Sequence, residues 1–146
     1  MIIPVLPNKI PKIWEQIKFA TTEVDGIKEE HRQVFLNKLL QELLAGRMRC
    51  FVTTNSSGKI KLLAIIKICI SNFTGQKHMV LQSFYAFEKS TDEEWKTLMD
   101  TFKELAIQEK CVFINAKAKN SQAAQKVIDN GFNEIFKGYS FELGAL

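Results

Sequence analysis

Residues 84–99, FYAFEKSTDEEWKTLM, set an apolar run directly ahead of a short loop and an amphipathic helix. At a strand-to-helix junction of this kind, backbone amides and a helix N-terminus can hold a phosphate. Anion binding is therefore the first chemistry to weigh. The residue types speak against it. No glycine lies between Phe84 and Met99, and the helix opens with Asp92, Glu93 and Glu94. Side chains would stand between an anion and the backbone, and three carboxylates would repel a diphosphate. The same residues make sense as helix punctuation. Thr91-x-x-Glu94 is a capping box, and acids in a first turn suit the helix dipole. Such a cap stabilises a helix by about 1 kcal/mol.

Other reactive side chains are isolated. Cys50, Cys69 and Cys111 each sit in an apolar run, and no pair has the Cys-x-x-Cys spacing of zinc or redox sites. His31 and His78 stand alone. No metal site is expected; the cysteines read as small buried hydrophobes with free thiols. Twenty basic against sixteen acidic residues leave +4, with Arg47-Met48-Arg49 the only compact basic cluster. Nucleic-acid binding asks for a basic stripe with aromatic platforms, so no nucleic-acid partner is expected. No apolar run is long enough to span a membrane, and the proline-broken N-terminus does not resemble a signal peptide. The expectation is a cytoplasmic protein in a reducing compartment, with no membrane contact.

These residues must be positioned by one domain. The chain has 146 residues, 46% hydrophobic and 25% charged, with no repeat, low-complexity tract or linker. Residues 2–6 suit a short edge strand. A helix is expected from Pro11, broken at Asp25-Gly26, and a second carries the stripe Val34, Phe35, Leu36, Leu39, Leu40, Leu43 and Leu44, ending at Gly46. Residues 49–54 and 60–71 read as an antiparallel hairpin, and 78–88 as a further strand, apolar on nearly both faces and so central. The helix after the junction buries Trp95, Leu98, Met99, Phe102, Leu105 and Ala106. A strand over 111–118, a helix over 120–131 and a closing strand segment over 132–143 complete the chain. The strand–helix–strand passage from 78 to 118 implies a right-handed crossover and a parallel pair. The fold class is α/β with a mixed sheet, in the order β-α-α-β-β-β-α-β-α-β, helices covering both faces.

That order, together with NSQAAQKVIDNGF over residues 120–132, resembles the GNAT N-acetyltransferase superfamily across essentially the whole chain. The stretch has Asn120 as N-cap, Ala123 and Ala124 for close approach to a sheet, and Gly131-Phe132 leading into the next strand. The resemblance implies an acetyl-CoA site at the junction, on a loop patterned Arg/Gln-x-x-Gly-x-Gly/Ala. Here those positions fall on Thr91, Glu94 and Lys96. The family's thiolate-protonating tyrosine falls on Val127. If the chain is active, the resemblance implies Tyr85 as acid and Glu88 as base, with Ala86, Phe87, Lys89, Lys96 and Asn120 toward the cofactor. The family's closing hairpin, which often shapes the acceptor site, is also short here.

The sequence thus reads as a GNAT-like domain without catalysis, a binding or structural module that needs no cofactor and acts through a protein partner or as a homodimer. Domains of this kind also occur among phage-related proteins. The alternative is a divergent acyl-CoA-dependent N-acyltransferase, using acetyl-CoA or CoA and acting on an amine.

Overall fold

The computed structural model describes residues 2–118 and 121–135, together with Tyr139, Phe141 and Leu143. The elements are β1 (Ile2–Val5), a 3-10 helix (Pro7–Ile13), α1 (Trp14–Asp25), α2 (Glu29–Leu44), β2 (Met48–Thr54), β3 (Ile60–Ile70), β4 (Lys77–Ala86), α3 (Asp92–Gln108), β5 (Ile114–Ala116) and α4 (Ser121–Asp129). The strands form one sheet in chain order, antiparallel from β1 to β4 and parallel between β4 and β5. The mixed α/β order expected from the sequence is present. Of the closing segment expected over 132–143, residues 136–138, 140 and 142 lie outside the described residues, and residues 132–135 are in no element.

Each face of the sheet has its own core. Ile17 and Ala20 of α1 and Leu39 and Leu43 of α2 pack with Ile10, Cys50, Val52, Leu63 and Ile65. On the other face, Trp95, Leu98, Met99, Phe102 and Ala106 of α3 and Val127 of α4 pack with Phe51, Leu62, Ala64, Ile66, Met79, Leu81 and Phe84. The apolar period of α3, residues three and four apart along one side, places all five of its buried side chains on the sheet. The stripe of α2 is narrower than its sequence suggested. Leu36, Leu39 and Leu43 are buried, while Val34 is 74% exposed and Leu44 is also exposed, because α2 rests on the sheet along a single ridge.

Two β-bulges decide what the strands present. In β4, Ile65 faces Ser83 but Ile66 faces Leu81, so Gln82 is an extra residue. Before it Met79 and Leu81 face α3; after it the parity reverses and Phe84 and Ala86 do so. In β3, Thr53 faces Leu62 but Thr54 faces Ile60, leaving Lys61 as the extra residue. The glycines called as helix ends serve that role. Gly26 and Gly46 have φ of 58° and 75°. Gly131, at φ 91°, ends α4, with the Phe132 amide donating to the Val127 carbonyl at 3.1 Å and the Phe132 ring packing on the core.

The strand expected over 111–118 is shorter, Ile114–Ala116. Val112 and Phe113, just ahead of it, are exposed, although their backbones still bond to β4: the Lys77 carbonyl accepts the Val112 amide at 2.8 Å and the Phe113 carbonyl accepts the Met79 amide at 3.1 Å. No helix among the described residues is long and apolar enough to cross a membrane.

Candidate functional site

The junction between β4 and α3 is built almost entirely from side chains that satisfy one another. Thr91 caps α3: its Oγ1 accepts the Glu94 amide at 3.1 Å, and Glu94 Oε1 accepts the Thr91 amide at 3.1 Å. The capping box read from the sequence is present. Glu94 is further held by Lys61, whose Nζ lies 2.8 Å from Oε2 and 2.9 Å from Oε1. The lysine reaches it because the bulge in β3 re-aims that side chain. The Lys61 hydrogen bond, then the Thr91 amide, holds the Glu94 carboxyl below its ordinary range. Phe87, immediately after β4, donates its amide to the Lys61 carbonyl at 2.8 Å.

Asp92 is similarly engaged: it pairs with Lys126 of α4 at 2.8 Å, and that hydrogen bond lowers its pKa. This ion pair crosses a cleft of about 670 Å³ between α3 and α4, lined among others by Glu93, Trp95, Lys96, Asp129 and Asn130. A smaller cavity of about 260 Å³ lies on the other side of the α3 start, lined by Ile2, Thr53, Thr54, Thr91, Glu93, Glu94 and Thr97. Both carry carboxylates toward the helix N-terminus.

The depressed carboxyls set a pH dependence. A group whose folded pKa lies below its unfolded value stabilises the fold above the unfolded value, 4.5 for Glu94. That contribution is lost as pH falls through the lowered folded value. The thermal midpoint should therefore drop on acidification below 4.5. Glu94→Gln should show a shallower drop in the same melts, and an unchanged acid slope would separate Glu94 from the effect.

The candidate residues from the sequence are not brought together as an acid–base pair. Tyr85 faces α1, where its ring meets Phe19 edge-on at 5.7 Å and Phe87 at 5.0 Å. Glu88 lies exposed beyond β4 and accepts from Asn55 Nδ2 at 2.7 Å. Asn55 in turn organises the β2–β3 turn, its Oδ1 accepting the Ser57 and Lys59 amides at 3.0 Å each. Ala86 packs on the α3-side core, Phe87 on the opposite one, and Lys89 is exposed. Lys96 turns along its own helix to Asp100, and that hydrogen bond raises its pKa. Asn120 lies outside the described residues. Val127 is buried in the core, so the tyrosine position of the family pattern is a packing position here. Among the described residues no group of three His, Cys, Asp or Glu could hold a metal. Burial pushes the Cys50 thiol up to about 12, leaving it inert at neutral pH.

Sequence reading missed three participants. Lys61 and Asn55 meet residues 33 positions away, and no local pattern announces either contact. Ser83, buried after the bulge, donates to Asp25 Oδ2 at 3.2 Å and ties the end of α1 to β4. Pairing of β4 with β5 takes in all of Ile114–Ala116 and stops at Leu81, while β4 continues to Ala86, so among the described residues β4 has no paired strand on that side beyond the bulge.

A sheet of this order, with a bulged fourth strand that outruns the fifth and a helix following its end, is found in many solved structures. A probable acetyltransferase matches over 99% of both chains with a TM-score of 0.76 and 14% identity. A predicted acetyltransferase with acetyl-CoA from Clostridium acetobutylicum matches with 0.74 and 14% identity, over 98% of this chain and 96% of that one. A GNAT family acetyltransferase from Staphylococcus aureus matches with 0.66 and 14% identity, over 97% and 98%. The fold is that of the GNAT acetyltransferases. No protein-family model matches the sequence, and no curated protein sequence does. At this identity the GNAT likeness resides in the backbone, and the side chains at the junction are this chain's own.

Proposed function

We propose that this chain is a GNAT-fold domain that does not transfer acetyl groups and serves as a binding or structural module. One observation carries the reading. The anion at the start of α3 is internal: the Glu94 carboxylate takes the Thr91 amide and the Lys61 ammonium, while Thr91 takes the Glu94 amide. Two of the first-turn donors that a diphosphate would use are thereby consumed. Asp92 and Glu93 add charge of the wrong sign around those that remain. A module of this kind works through a partner, either another protein or a second copy of the chain, in the cytoplasm.

The length of β4 beyond Leu81 that β5 does not pair favours a second reading, a divergent acyl-CoA-dependent N-acyltransferase. An extended thioester arm could lie along that edge of β4. An amine acceptor must lose a proton before attack, and under this reading Glu88 and Tyr85 would supply acid–base help.

Calorimetric titration with acetyl-CoA and with free CoA separates the two. The expected result is no heat and no thermal shift at millimolar ligand. Micromolar affinity, about −8 kcal/mol, would overturn the non-catalytic reading and direct the search to an amine acceptor.

A further inference from the structure

The end of the sheet away from the β4–α3 junction concentrates basic and exposed apolar side chains. There β2 begins, β3 ends, β4 begins and α3 terminates, and the Val112 amide ties the approach to β5 to the Lys77 carbonyl at 2.8 Å. Two carboxylates at this end are surrounded by bases. Glu42 is held below its usual range by the Arg47 hydrogen bond and by the charges of Arg47, Lys67 and Lys38. Glu109 pairs with Arg49 at 3.1 Å and Lys77 at 3.5 Å. Lys110 follows directly after Glu109. The groups named at this end are six bases and two acids.

From the same end projects the β3–β4 turn. Phe73 at its tip is 100% exposed, and Ile70, Ile107, Val112 and Phe113 are also exposed at this end of the sheet. The turn is not slack. Ser71 Oγ accepts the Phe73 and Thr74 amides at 3.3 Å each, Thr74 Oγ1 accepts the Gln76 amide at 3.2 Å, and the Ser71 carbonyl accepts the Gly75 amide at 2.9 Å. A hydrogen-bonded turn therefore holds an aromatic side chain out into water, pre-organised for insertion.

We propose that this end docks on an anionic lipid bilayer, with Phe73 entering the interface and the surrounding bases facing the headgroups. Charge decides the class of partner. A surplus of bases selects an anionic surface and repels a second copy of the same end. The aliphatic Ile70, Ile107 and Val112 have no π face on which a nucleobase could stack, and they gain from an apolar medium. The tip is convex, and a bilayer interface accepts a projecting side chain without supplying a cleft. This departs from the expectation of no membrane contact, which rested on the lack of a spanning run.

Co-sedimentation of the whole chain with two kinds of vesicle tests the inference. One kind is phosphatidylcholine alone; the other carries about a third phosphatidylglycerol, at roughly physiological salt. The expected result is sedimentation with the anionic vesicles only. Phe73→Ser should reduce it about tenfold, as should Lys67→Glu combined with Lys110→Glu. Phe73→Trp should show blue-shifted emission on the same vesicles. No sedimentation with anionic vesicles would overturn the proposal. So would sedimentation indifferent to Phe73→Ser, or tighter binding to a single-stranded oligonucleotide that survives that substitution. The outcome is independent of CoA binding at the other pole.

Discussion

Inserting one alanine between Ser83 and Phe84 lowers the stability of this chain by about 4 kcal/mol or more, whereas deleting Gln82 costs less than about 1.5 kcal/mol. Both are read from urea unfolding at equilibrium. The difference arises because the bulge already absorbs one extra residue. Gln82 has no partner on β3, so Phe84 and Ala86 meet α3 as Met79 and Leu81 do, while Ser83 and Tyr85 meet α1. Removing Gln82 leaves an unbroken alternation with the same facing and the same partners on β3. A second extra residue must either turn Phe84 away from Trp95, whose ring it meets edge-on at 5.9 Å, or break the pairing of β4 with β3. Equal losses in the two variants would show that the facing of β4 is not fixed by its register.

Phe102→Ala is expected to cost about 3–5 kcal/mol, the range for a buried aromatic truncated in a close-packed core. Phe102 is 1% exposed at the centre of α3 and meets Phe51 of β2 edge-on at 5.4 Å. Its loss opens a cavity between helix and sheet that neighbours such as Leu98 and Met99, themselves buried, cannot fill without leaving their own contacts. The same urea titration measures it. A domain of this size has a total stability of roughly 5–15 kcal/mol, so the variant should be close to unfolded at moderate temperature. A loss below about 1 kcal/mol would mean that the α3-side core is loosely packed.

The sequence alone determined the element order and most of the helix faces. The Trp95, Leu98, Met99, Phe102 and Ala106 stripe is periodic, and periodicity is a local property that burial then uses. It also determined the caps, since Thr91, Glu94, Gly26, Gly46 and Gly131 act within a few residues of their own positions. The start of α3 could therefore be read as a capped helix with no glycine cradle before any coordinates. Its capping box is what the structure shows.

Only the tertiary structure decided how that box is reinforced and what surrounds it. Lys61 reaches Glu94, Asn55 reaches Glu88 and Lys126 reaches Asp92 across 33 or 34 positions. Such contacts depend on where two strands and a helix converge, which no local window encodes. The two bulges belong here as well. In β4 the apolar run spans nearly both faces, so a one-residue change of parity leaves no mark on its hydrophobic pattern, and only pairing with β3 reveals it. The apolar character of Val112 and Phe113 is likewise a local property, and only the packing around them decides that both are exposed even where their backbones bond to β4.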